Sequence, residues 1–94
     1  MSLPNYIFPA ASVLSTELEA ETILIEMNSE RYFSLKGTGS SFWRLIQADP
    51  SVERVIEALL REYAVDEAVL RRDLTVLCGK LAEQGLATPA ATAP

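Results

Sequence analysis

The tetrapeptide Lys36-Gly37-Thr38-Gly39 divides this chain into two kinds of pattern. Before it, short apolar and β-branched runs are separated by turn residues. After it, the apolar residues recur at helical spacing. Ser12 to Leu18, Thr22 to Met27 and Arg31 to Leu35 read as three strands, joined through Glu19-Ala20-Glu21 and Asn28-Ser29-Glu30. Connections this short make an antiparallel meander.

Three helices follow. The first runs from about Ser40 to Ala48, with Phe42, Trp43, Leu45 and Ile46 apolar. Asp49-Pro50-Ser51 stops it, because proline disfavours helix at the preceding residue, and Ser51 is placed to cap the next one. Val52, Val55, Ile56, Leu59, Leu60 and Tyr63 then fall at i, i+3, i+4, i+7, i+8 and i+11, an amphipathic stripe. Glu57 and Arg61, four apart, sit on its outer face. Asp66 is the expected N-cap of the third helix, and Gly85 its C-terminal stop. The expected fold is therefore α+β and winged-helix-like, with a three-stranded antiparallel sheet followed by three helices. Residues 1–11, which carry Pro4 and Pro9, form an extended arm or edge strand at best. Residues 12–87 make the domain, and residues 88–94 are expected to be a flexible tail.

The glycine turn does not carry phosphate chemistry. A P-loop needs Lys-Ser/Thr after its last glycine, and none follows Gly39. A dinucleotide turn needs a βαβ unit and a small residue where Phe42 stands. Gly37 or Gly39 is instead expected at positive φ, with the Thr38 and Ser40 hydroxyls serving turn and cap.

Composition excludes more. The chain has 94 residues, 49% of them hydrophobic and 22% charged, which suits one small globular domain. No window nears the roughly 18 apolar residues of a membrane span, and no signal-peptide pattern opens the chain. A cytoplasmic location is the expectation. The sequence holds no histidine and one cysteine, Cys78, so no ordinary metal constellation is available and no cofactor is expected. Cys78 has no histidine or CxxC partner and reads as a small hydrophobe. Thirteen scattered carboxylates imply no catalytic pair, so no enzyme activity is expected. A net charge of −5 argues against nucleic acid. A winged helix would present its last helix to DNA, yet there Asp66, Glu67, Asp73 and Glu83 outnumber Arg71, Arg72 and Lys80. Nothing in the composition calls for a membrane surface.

In the third helix Leu70, Leu74, Leu77 and Leu81 recur as a core seam. Beside it runs a second row, Val69, Asp73, Val76 and Lys80, mixing two valines with two opposite charges. This row is either the periphery of the packing or one wall of a binding groove.

The strings ILIEMNSERYFSLKGTGSSFWRLI and SVERVIEALLREYAVDEAVLRRDLTVLCGKLAEQGLA resemble the PqqD-like family. These are small peptide-recognition domains of pathways for ribosomally made, modified peptides. The likeness covers about Val13 to Ala87. It rests on the Tyr-Phe-Ser-Leu strand, the glycine turn before Trp43, the acidic-Tyr-x-Val-Asp joint and the Arg-Asp-x-x-x-Leu-x-x-Leu helix. It implies a non-catalytic module to which a precursor's leader peptide adds as a strand, beside the third strand and under the third helix. The matching positions are Arg31, Tyr32, Phe33 and Ser34 on the strand, with Val69, Asp73, Val76 and Lys80 on the helix. Alternation puts Phe33 and Leu35 on one face and Tyr32 and Ser34 on the other, and leaves open which one lines the groove.

The implied partners are that leader and a leader peptidase or other modifying enzyme. At 94 residues the chain is expected to be a stand-alone recognition protein without a fused enzyme. YFSLKGTGSSFW and LRRD are closest to the lasso-peptide type. The alternative within the family is a peptide chaperone for a radical enzyme of the quinone-cofactor pathway. Residues 6–9, Tyr-Ile-Phe-Pro, match the Tyr-x-x-Pro of lasso leaders. They form either an ordinary arm or a segment that fills the groove when no leader is present. Dimerisation through the edge strand or this arm is compatible with the pattern.

Overall fold

The computed structural model describes residues 2–92. Its elements in chain order are β1 (Tyr6–Pro9), β2 (Val13–Leu18), β3 (Glu21–Glu26), β4 (Arg31–Lys36), α1 (Thr38–Ala48), α2 (Val52–Glu62), α3 (Glu67–Glu83) and β5 (Ala87–Ala90). The fold is α+β. A three-stranded antiparallel sheet, order β2-β3-β4, packs one face on the helices, and a separate pair joins β1 to β5.

Alternation in the sheet decides what meets the core. On β3, Thr22, Leu24 and Glu26 are buried while Ile23 and Ile25 are half-buried on the other face. Leu24 stands opposite Phe33 and Ser15 in the register, whereas Ile25 stands opposite Leu14 and Tyr32. Leu14, Ile25 and Tyr32 therefore share the outer face, where Leu14 and Tyr32 are exposed. Two short turns hold the meander, and each places a non-glycine residue at positive φ, Ala20 and Glu30. In the second turn the Glu26 carboxylate accepts from the Ser29 N–H at 2.8 Å.

Gly37 takes φ 58° and ψ −129° at the N-cap of α1, a conformation suited to glycine. Contrary to the sequence expectation, no side chain caps this helix. The Ser40 hydroxyl bonds Thr22 Oγ1 at 2.6 Å instead, tying α1 to β3 at a point where Thr22 is fully buried. The corner turns Phe42 and Trp43 into the core. The other two caps are as expected: Ser51 accepts from the Arg54 N–H, and Asp66 from the Val69 N–H. Glu57 and Arg61 form no ion pair among the described residues.

The two chain ends meet. Tyr6–Pro9, expected as an extended arm or edge strand, is an edge strand: it pairs with Ala87–Ala90, where a flexible tail was expected to begin. Pro9 on β1 and Pro89 on β5 are tolerated because the pair has only two strands and each is an edge. Ile7 is 0% exposed, and its N–H donates to the Pro50 carbonyl at 3.0 Å. The Tyr-Ile-Phe-Pro segment is thus built into the core and does not fill a groove of its own chain. Residues 93–94 lie outside the described residues.

The buried seam of α3 is Leu70, Leu74, Cys78 and Leu81. Cys78 takes the place expected of Leu77, which is only half-buried. Glu53 on α2 and Glu67 on α3 both clasp Arg71, with Glu53 paired at 2.8 and 2.9 Å. These contacts fasten α2 to α3 and push the Glu53 carboxyl below its ordinary range. No helix is long and apolar enough to cross a membrane among the described residues.

Candidate functional site

β4 is an edge strand, paired with β3 on one side and with no described strand on the other. Its free edge offers a row of unpaired N–H and C=O groups. Next to it stands the C-terminal half of α3, and the space between them is a cleft of ≈ 360 Å³. Phe33 and Leu35 from β4, Leu77 and Leu81 from α3, and Leu86 just beyond make it largely apolar. Alternation explains the strand's share. Phe33 and Leu35 are half-buried toward the core side, and Tyr32 points the other way with 74% exposure.

The polar border comes from Ser34, Lys80, Glu83 and Gln84. Arg31 reaches from the start of β4 to donate to Gln84 Oε1, which closes one end of the cleft. Gly85, at φ 72°, ends α3 and lets Leu86 fold back beneath the cleft, with the Leu86 N–H donating to the Leu81 carbonyl at 2.8 Å. Gly39 lies under the same wall, since a side chain there would meet Leu77 and Leu35. Cys78 is buried one residue from the lining, and desolvation pushes its thiol up to about 11, which leaves it protonated and inert. No three His, Cys, Asp or Glu residues are grouped to hold a metal among the described residues.

The sequence model of one family, Coenzyme PQQ synthesis protein D (PqqD), matches residues 21–87. The chain belongs to the PqqD family. The match spans β3 to the start of β5 and so includes both walls of the cleft. No curated protein matches the sequence. Two solved structures resemble this PqqD-family chain. TbiB1 in complex with the TbiA(beta) leader peptide is 28% identical, with a TM-score of 0.82 over 90% of this chain and 99% of that one. A lasso peptide synthetase B1 complexed with the leader peptide is 23% identical, with a TM-score of 0.77 over 89% and 99%, a likeness of fold.

Of the positions the sequence singled out, Phe33, Ser34 and Lys80 line the cleft and Arg31 closes its end. Tyr32 lies on the opposite face of the sheet. Val69, Asp73 and Val76 continue the Lys80 stripe toward the start of α3, exposed and outside the cleft lining. Leu77, Leu81, Glu83, Gln84 and Leu86 complete the lining and were not among those positions. The signal for Leu77 was present: Cys78 completes an i, i+4, i+8 seam with Leu70 and Leu74, which frees its neighbour to face the strand.

Proposed function

We propose that this chain is a leader-peptide recognition module. It binds the leader of a ribosomally made precursor by strand addition along β4, over the cleft closed by α3. It then presents the precursor to a leader peptidase or other modifying enzyme, in a pathway of the lasso type. The observation that carries this reading is the juxtaposition of an unpaired strand edge with an apolar cleft. Main-chain hydrogen bonds along such an edge supply affinity without regard to sequence, and the cleft selects the side chains that enter it. The similarity to TbiB1, a protein solved with a leader peptide, supports the assignment of the occupant. In this reading the module is an adaptor, and the largely apolar cleft, with Glu83 as its single carboxylate, suits binding of a peptide side chain.

Val69, Asp73 and Val76 form an outlying part of the site, touched where the peptide runs on beyond Leu77. No observation favours the DNA-binding alternative, since Arg71 is engaged by Glu53 and Glu67, and Arg72 lies 3.9 Å from Asp73.

Titration of the protein into the fluorescein-labelled leader of the precursor encoded beside its gene tests the proposal by fluorescence polarisation. Leu77→Glu places a charge in the apolar wall and is expected to weaken binding by tenfold or more (~1.4 kcal/mol). Asp73→Lys and Val76→Glu are expected to weaken it less, with the fold kept. A leader that fails to bind, or that binds Leu77→Glu as well as the native protein, overturns the assignment.

A further inference from the structure

The charges around the cleft are unusual for this molecule. The net charge is −5 with thirteen carboxylates, so most cations find an acidic neighbour. Lys36, Arg44, Arg54, Arg71 and Arg72 each lie within 3.9 Å of one. Among the described residues, that leaves Arg31, Arg61 and Lys80 of the eight cations. Of these three, Lys80 lines the cleft and Arg31 bonds Gln84, which lines it.

They also stand at one end of it. Arg31 donates to Gln84, and Gln84 is one helical turn from Lys80, so both cations border the last turn of α3. That turn is the negative end of the helix dipole, roughly half an elementary charge, and Glu83 adds a full one. Lys80 in the last turn is a normal complement to the helix end. Arg31 stands opposite Glu26 in the register but forms no ion pair with it among the described residues, and the group it does bond, Gln84, is neutral. A carboxylate in that position would meet Arg31 as an ion pair and could take two parallel N–H bonds from the guanidinium, which a single amide oxygen does not.

We infer that the peptide taken by this cleft carries an acidic side chain, received by Arg31 and Lys80, on the same face as an apolar side chain that enters the cleft. This deepens the leader-recognition reading and rests on it. Successive side chains of an extended peptide alternate between its two faces, at about 3.3 Å per residue. The acidic and apolar residues are therefore two or four positions apart. In binding, the incoming carboxylate displaces the Gln84 amide from Arg31. The cleft then discriminates among peptides of equal hydrophobicity by charge.

The test selects a phage-displayed library of random peptides of about twelve residues, long enough to span β4, on the immobilised full chain. The expected result is enrichment of peptides with Asp or Glu two or four positions from a large apolar residue. Exchanging that acid for lysine in a synthetic copy is expected to lower affinity for the native protein about tenfold. Lys80→Glu is expected to reverse the preference toward Lys or Arg. Gln84→Glu, which supplies Arg31 with a carboxylate from its own chain, is expected to abolish the preference. Enriched peptides without an acidic preference, or one that survives Lys80→Glu and Gln84→Glu, overturn this inference and leave the leader-recognition reading standing. No enrichment over the Leu77→Glu protein overturns both.

Discussion

Glu26 is the residue on which the β3–β4 turn depends. The Ser12 hydroxyl and the Ser29 N–H donate to its carboxylate and hold it ionised, pushed down to about 2 from an ordinary 4.5. The unfolded chain takes up that proton near pH 4.5, whereas the folded chain resists until about pH 2. This contribution to stability is therefore fully present above pH 4.5 and is lost as the pH falls toward 2. Asp49 and Glu53, held low by hydrogen bonds from Arg54 and Arg71, add slope of the same sign. Urea unfolding at a series of pH values checks this, and Glu26→Gln is expected to flatten the acid limb. The turn leads directly into β4, so its loss also frees the start of the edge strand at Arg31.

At the scale of elements, β1 contributes far more than a four-residue strand with a proline would suggest. Ile7 is fully buried, β1 pairs with β5 along its whole length, and the Val52 N–H donates to the Asn5 carbonyl at 3.0 Å. The segment thus clamps the α1–α2 corner to the strand that follows α3. Ile7→Ala is expected to cost about 2–5 kcal/mol, the range for truncating a buried large aliphatic side chain. Urea denaturation measures this directly. A loss below about 0.5 kcal/mol, the range of surface substitutions, would mean that β1 frays. Leu77 makes the reverse point. It sits in a helix whose buried seam is complete without it, so its side chain is available to the cleft.

At the scale of the whole molecule, strand addition makes a statement about hydrogen exchange. The β4 amides that face the free edge have no strand partner and are expected to exchange quickly in the free protein. A peptide added along that edge protects alternate amides between Arg31 and Lys36, which amide-resolved exchange with and without the labelled leader detects. Unchanged rates at β4 in a saturated complex would place the peptide elsewhere.

Much of this architecture was legible in the sequence because it is dictated locally. Period-two and period-3.6 patterns marked the meander and the three helices, Ser51 and Asp66 announced their caps, and the glycine corner marked the change between them. The β1–β5 pair was not legible. Its two short segments lie at opposite ends of the chain, carry prolines and have too little alternation to announce a strand. The site divides in the same way. The sequence by itself determined which strand is last in the meander, since short connections leave few choices, and the resemblance to the PqqD-like family pointed to the third helix beside it. Only the tertiary structure decided that Phe33 rather than Tyr32 faces the cleft, and that Leu77 rather than Val76 lines it. It alone brought Arg31 to Gln84 across 53 residues. The reason is physical: period tells which residues share a face, and the packing of one element on another decides where that face points.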